Sequence, residues 1–390
     1  MIKNLKTKMK KKIFRFIYLF INIIFLIFYY ILEDQKKEIK NKKKEIKRME
    51  IYYNICSNGN LLNRKNYKKV KVPKISIISP IFNKEKYILR FLRSIENQYF
   101  QEIEIIFVDD CSKDNSVKEI ENFQKEDKRI ILIKHNSNKG TLMISKGKYI
   151  IFGDPDDLFS NDIFYFCFKN AENYNFDMIR YNAYNGKGLI NLDFIVNNLK
   201  KKTIYQPELS LYLFNGLGKL EEIDYFIWNK LIKKEIFILA LNMIDKYYLS
   251  QYMIDCEDGL LNFMLYKVAK SYYFIKRIGY YYILNKDSIT DKKKKNNFKK
   301  RLKSNFLYFK FLFQHTKNNR KEKKIAEYIF FSIYNFYKND INKLIKEMAK
   351  DLEFYIEIIN LYLNCQFISK NRKMILKKMK SDLYYFKNKI

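Results

Sequence analysis

Lys148-Tyr-Ile-Ile-Phe-Gly-Asp-Pro-Asp-Asp157 is the stretch on which the fold turns. Its first half is a short apolar run of β-branched and aromatic residues, the pattern of a buried strand. Its second half is three carboxylates around a proline. If the run is a strand, Asp154, Asp156 and Asp157 stand where the chain leaves the sheet, the place where open α/β sheets take their ligands. Three acids so close repel one another unless positive charge sits among them, so a divalent cation is one natural partner. A turn leading into a helix N-terminus is the other reading, because Asp and Pro are favoured there too. These ten residues alone do not separate the two.

Upstream the same texture repeats. Lys74-Ile-Ser-Ile-Ile-Ser-Pro-Ile-Phe-Asn83 reads as a buried strand and its exit loop, and residues 85–97 place Tyr87, Ile88, Phe91, Leu92 and Ile95 on one helical face. Glu102-Ile-Glu-Ile-Ile-Phe-Val-Asp-Asp110 is a second strand that ends in carboxylates. Ser112-Lys-Asp-Asn-Ser-Val then opens a helix, with Asp114 or a neighbour as its capping residue. Arg129-Ile-Ile-Leu-Ile-Lys134 makes a third strand and Tyr149 to Phe152 a fourth. Strands separated by helices of this length predict βαβ units and a parallel sheet.

The composition excludes some classes. Of 390 residues 48% are hydrophobic and 17% aromatic, too many for a disordered chain. The net charge of +34 would ordinarily point to nucleic acid or an anionic membrane. Here the lysines run the whole length alongside abundant Asn, Ile, Tyr and Phe, as an AT-rich coding bias produces, so no nucleic-acid partner is inferred. The five cysteines form no CxxC pair, and the two histidines, His135 and His315, offer no His-based metal site.

Residues 1–12 form a basic flank, and Ile13 to Leu32 is nearly continuous apolar sequence broken by Arg15 and Asn22. That run predicts a transmembrane anchor over 13–32, retained because no small-residue cleavage site follows it. Residues 33–73 read as a charged stalk and linker. Residues 291–390 carry amphipathic helical sequence without a chemical motif and read as a helical C-terminal region.

With these residues in view, the chain resembles the family 2 glycosyltransferases, whose GT-A fold is a Rossmann-like nucleotide-sugar-binding domain. Five stretches carry the resemblance, in the family's order, over residues 74–290. They are Ser76-Ile-Ile-Ser-Pro-Ile-Phe-Asn83, Phe107-Val-Asp-Asp-Cys-Ser-Lys-Asp-Asn-Ser116, Asn138-Lys-Gly140, Gly147 to Asp157, and Glu257-Asp258. The implied activity is membrane-anchored, metal-dependent, inverting transfer of a sugar from a UDP- or GDP-sugar to a hydroxyl of a glycan, protein or lipid. The runner-up is an inactive GT-A-fold protein, tethered to the membrane as a binding or scaffold subunit.

The resemblance also implies roles. Pro80 and Phe82 would pack the nucleotide base, Asp110 would accept from its imide N–H, and Asp109 would steady that loop. Asp154 and Asp156 resemble the DxD element that meets the donor, with Asp156 and Asp157 holding Mn²⁺ or Mg²⁺. Asp258, or else Glu257, would be the catalytic base. Trp228, within Trp228-Asn-Lys-Leu231, is either an acceptor-side sugar platform or a core residue, and Lys230, Lys276 and Arg277 are possible phosphate contacts that in so lysine-rich a chain read rather as solvated surface residues. The implied location is a single-pass membrane protein of the Golgi or endoplasmic reticulum, with a lumenal catalytic domain.

The sequence departs from the family pattern at one point. Between Gly140 and Gly147 only Thr141-Leu-Met-Ile-Ser-Lys146 intervenes, without the Arg that the family usually carries near the nucleotide. A crossover between parallel strands ordinarily takes a dozen or more residues in all.

Overall fold

The computed structural model of the chain describes residues 67–134, 144–184, 189–190, 203–206, 226–249, 257–283 and 298–316, with scattered positions between 356 and 384. The chain divides into two compact units, Met1–Asn63 and Arg64–Ile390, and every described residue belongs to the second. The expected anchor at 13–32, its stalk, the Asn138-Lys-Gly140 stretch and most of 291–390 lie outside the described residues. Among the described residues no helix is long and apolar enough to cross a membrane.

Ten strands form one sheet: β1 (Ile75–Ile81), β2 (Ile103–Asp109), β3 (Ile130–Lys134), β4 (Tyr149–Phe152), β5 (Leu158–Phe159), β6 (Met178–Tyr184), β7 (Leu189–Ile190), β8 (Thr203–Tyr205), β9 (Lys230–Lys233) and β10 (Ser271–Tyr281). Their order is β3-β2-β1-β4-β9-β6-β10-β5, with β7 paired to β6 and β8 to β10. β1 to β4 run parallel to one another, as the apolar runs predict. The sheet as a whole is nevertheless mixed, where the four apolar runs predict a parallel one. β9 lies antiparallel between β4 and β6, and β5 antiparallel to β10.

Helices cover both faces, so alternate residues of each central strand enter different cores. On one face pack α1 (Glu85–Glu96), α2 (Ser116–Glu126) and α3 (Ile163–Tyr174). Their Phe91, Phe123 and Phe164 share a core with Ile77 of β1, Ile151 of β4 and Leu231 of β9. On the other face lie α4 (Lys234–Asn242), the short α5 (Lys246–Leu249), α6 (Glu257–Val268) and α7 (Phe298–Thr316). There Phe237, Phe263 and Phe311 pack with Ile150, Ile232 and Phe274. Of the predicted C-terminal helical region, α7 is the continuous part described, and it is built into this second core.

One glycine shows how tightly the central pair is set. A Cβ on Gly147, at the entry to β4, would stand 2.5 Å from the Ser76 backbone N of β1. The buried Glu104 of β2 locks the same corner, accepting from the Ser76 hydroxyl at 2.6 Å and from the Lys146 and Gly147 N–H groups at 2.5 and 3.1 Å.

Candidate active site

The parallel strands β1, β2 and β4 all end on one rim of the sheet, and the antiparallel β9 begins there. Register fixes this: Ile151 pairs with Leu231, so Lys230 and Trp228 come in beside the residues where β4 leaves. β6 and β10, parallel to each other and opposed to β9, leave by the same rim. Every described site residue expected from the sequence sits on it.

At the exit of β1, Pro80 is exposed and the Phe82 ring is 51% exposed. Asn83 then turns with φ 52°, a left-handed conformation that Asn tolerates. At the exit of β2, Asp109 is buried, and both its oxygens take the Ser112 N–H, at 3.2 and 3.3 Å. Asp110 is exposed, its own N–H bonded to Ile81 O at 2.9 Å, and Cys111 turns with φ 63°. For a Cys that is a strained backbone, held by what surrounds it.

The two loops are laced together. Asn83 and Lys84 N–H donate to the Ser112 and Ser116 hydroxyls at 3.0 and 2.7 Å, and Lys113 N–H returns to Asn83 Oδ1 at 2.7 Å. Asp114 accepts from the Glu85 and Ser116 N–H groups, both at 3.0 Å. Burial alone would raise its carboxyl. The Ser116 hydroxyl and these backbone donors outweigh that and hold it below the usual range. Phe82 and Asp110 thus stand on a double loop joined by hydrogen bonds.

The third loop carries the acids. Asp154 and Asp156 are half-buried and Asp157 is buried. Asp156 Oδ2 pairs with the Lys84 ammonium at 2.7 Å, and its carbonyl accepts from Arg90 Nη2 at 2.6 Å. Asp154 N–H donates to the Tyr280 hydroxyl at 2.9 Å. Asp157 Oδ1 accepts from Ile283 N–H at 2.7 Å. Its Oδ2 is buried with no partner in hydrogen-bonding geometry, the Tyr280 hydroxyl standing beside it. Burial first, then the charges of Asp154 and Asp156, push the Asp157 carboxyl well above its usual range. Tyr280 is raised in the same way, by burial and then by Asp157 and Asp154.

Among the described residues no three His, Cys, Asp or Glu side chains are arranged to hold a metal ion by themselves. The donor set still suits a hard cation. Mg²⁺ and its like are commonly held by one or two carboxylates with substrate phosphates completing the shell, and Asp154 and Asp156 are the accessible pair.

Trp228 is 5% exposed, stacked on Tyr280 at 4.5 Å and on Tyr282 at 6.0 Å, with Phe226 4.7 Å away. It is a core side chain that backs the acidic loop through Tyr280. α6 begins with Glu257 and Asp258, and Asp258 Oδ2 accepts from Ile227 N–H at 3.4 Å, next to Trp228. The base candidate and the acidic loop are therefore joined through one aromatic stack.

Lys230 is not a surface lysine. It is fully buried, its ammonium bonded to Phe226 O and, at 2.9 Å, to Asn229 Oδ1. Lys276 and Arg277 do lie exposed, Arg277 paired with Asp162 at 2.7 Å. Lys84, Arg90 and Tyr280 are contacts of the acidic loop that the residue pattern does not reveal. Lys84 follows the first strand directly, but in so lysine-rich a chain that position carries no signal of its own.

A mixed α/β sheet whose parallel strands end on an acidic rim is an architecture that takes ligands at its strand exits. Residues 76–238 match the family model described as glycosyl transferase family 2, so that stretch of the chain is similar to this family. The match ends before Asp258. Glycosyltransferase GlyG of Streptococcus pneumoniae is 31% identical over 42% of this chain and 58% of its own length. An uncharacterised glycosyltransferase of Haemophilus influenzae is 39% identical over 24% of this chain and 40% of its own. The chain thus spans less than two thirds of these relatives. Among solved structures, Staphylococcus aureus TarS 1–349 in complex with UDP aligns with TM-score 0.51 at 17% identity, covering 81% of this chain and 87% of that one. That likeness shows the fold, which is of the GT-A kind.

Proposed function

We propose that the chain transfers a sugar from a nucleotide-diphospho-sugar to an acceptor hydroxyl, with inversion. One observation carries the reading: the exits of β1, β2 and β4 and the start of α6 bring Phe82, Asp110, Asp154, Asp156 and Asp258 to one rim. Phe82 and Pro80 offer an apolar platform for the base, and the exposed Asp110 an acceptor for an imide N–H. Asp154 and Asp156 face the diphosphate and would hold Mn²⁺ or Mg²⁺ there. That cation, when bound, neutralises charge developing on the leaving nucleoside diphosphate.

Asp258 takes the proton of the acceptor hydroxyl as its oxygen attacks the anomeric carbon. The new C–O bond forms while the bond to the diphosphate breaks, and the nucleoside diphosphate leaves with the electron pair. Glu257 is the alternative base. Asp157, buried and bonded to Ile283 N–H, supports the loop from beneath, so its part in holding the metal would be secondary to that of Asp156.

Solved TarS structures hold UDP and UDP-GlcNAc, the donor class proposed here. A relative from Mycoplasma pneumoniae, 25% identical over 56% of this chain, is a processive diacylglycerol beta-glycosyltransferase, so a lipid is one acceptor class to try. The apolar run at 13–32 supports attachment to a membrane. The relatives named are bacterial, and they lend no support to a Golgi or endoplasmic reticulum compartment.

The test is release of nucleoside diphosphate by the full chain from a panel of UDP- and GDP-sugars with Mn²⁺, and its loss in Asp156→Ala. Neither turnover nor nucleotide binding across the panel would end the proposal. Binding without turnover would favour the inactive alternative, which the short 141–146 segment motivates.

A further inference from the structure

The peptide group between Phe226 and Ile227 is gripped at both ends. Its carbonyl accepts from the ammonium of Lys230, and its N–H donates to Asp258 Oδ2 at 3.4 Å. Lys230 is fully buried at the head of β9, and its second acceptor is Asn229 Oδ1 at 2.9 Å. Directly across the antiparallel pair stands Arg180 of β6, itself buried, with its guanidinium over the Phe274 ring at 5.4 Å. Alternation puts Lys230 and Arg180 on the face that α6 covers, because Ile232 and Met178, two residues from each, belong to that core.

A buried ammonium is costly unless its donors are well used. A hydrophobic residue would fill this place in a strand more cheaply, so the charge needs a reason other than packing. A cation on the carbonyl end of a peptide draws electron density from the amide and makes its N–H a stronger donor, as hydrogen bonds in chains polarise one another. The N–H so strengthened is the one that faces Asp258.

We propose that Lys230 is a positioning residue for Asp258, acting through the Phe226–Ile227 peptide to hold that carboxylate toward the acceptor. This rests on the reading of Asp258 as the base. The bond at 3.4 Å is long, as catalytic hydrogen bonds often are before substrate binds, and it has room to shorten in the complex.

The experiment is a double-mutant cycle on the full chain, with kcat, donor KM, the Kd for UDP or GDP and the melting temperature measured for each variant. Lys230→Met should lower kcat about ten- to a hundredfold, with donor KM and nucleotide Kd within about twofold of the parent. Combined with Asp258→Asn it should cost nothing further, because residues that act as one unit are not additive. Lys230→Gln, which keeps an N–H for Phe226 O, should recover part of the rate. It also serves as the second variant if the methionine protein does not fold.

A kcat unchanged in Lys230→Gln, or losses that multiply in the double variant, overturn the proposal and leave Asp258 as the base. Weakened nucleotide binding at unchanged kcat overturns it as well. Full activity in Asp258→Asn removes the base assignment and the positioning role together.

Discussion

The ammonium of Lys84 stands 2.7 Å from Asp156 Oδ2, across 72 residues of chain, and occupies the acid through which the donor's cation is proposed to bind. Lysine and cation compete for one carboxylate. Partly exposed pairs of this kind are worth up to about 1 kcal/mol, and the ammonium also repels a divalent ion. Lys84→Met should therefore tighten Mn²⁺ binding by about three- to tenfold in the absence of nucleotide. The signal of free Mn²⁺ in a paramagnetic titration reads this directly. Unchanged or weaker affinity would mean that the cation does not use Asp156.

Asp258→Asn keeps the shape of the side chain and removes its basicity. General-base groups contribute about 10² to 10⁴ in rate, so kcat should fall within that range while nucleotide affinity stays put. Single-turnover transfer and calorimetry on the same preparation separate the two effects.

Asp157 gives a dependence on pH with a definite sign. Its folded pKa lies above the unfolded value, because burial and the neighbouring acids oppose its charge. Its contribution to stability is present below the unfolded pKa and is lost as pH rises toward the folded one. Asp157→Asn keeps an acceptor for Ile283 N–H and cannot ionise. In chelator, its melting temperature relative to the parent should climb from about pH 4 to pH 7 and flatten below pH 4. A difference that stays flat across that span would show that the carboxyl is not disfavoured when charged.

Trp228 distinguishes a core role from a sugar platform. Stacked and 5% exposed, it should behave as a large core aromatic, so Trp228→Ala should cost about 3–5 kcal/mol in denaturant unfolding. Trp228→Phe should retain most of the stability. If the alanine variant keeps full stability but loses acceptor affinity, the ring serves substrate instead.

Gly147→Ala probes the seam between β1 and β4. The added methyl meets backbone at 2.5 Å, where no flexible side chain can give way, and the loss should be about 1–3 kcal/mol. Thermal unfolding by circular dichroism reads it.

The sequence by itself determined the first half of the sheet. Runs such as Ile103 to Val108 are apolar on every residue but Glu104, because both faces of a central parallel strand are covered. The acids that follow them mark the ends of strands, so Asp109, Asp110 and Asp154 to Asp157 could be placed at exits from pattern alone.

The second half was hidden for reasons of chemistry. β6 carries Arg180 and Asn182 among its buried positions, and β9 is four residues long with Lys230 and Lys233 at its ends. Lys233 is buried against Asp177 at 3.0 Å and Asn175 at 2.8 Å, partners set 56 and 58 residues away. In a chain with 76 Lys and Arg residues, nothing local separates a lysine with such partners from a solvated one.

The acids were legible at the exit of β4 because strand ends are local features of the chain. Tertiary structure alone decided that Tyr280, Ile283 and Lys84 close around them, that Trp228 backs them, and that Lys230 and Asp258 hold opposite ends of one peptide group. Those contacts depend on β9 entering antiparallel beside β4 and β10 leaving by the same rim, and strand pairing over such separations is set by packing, not by the residues of any one segment.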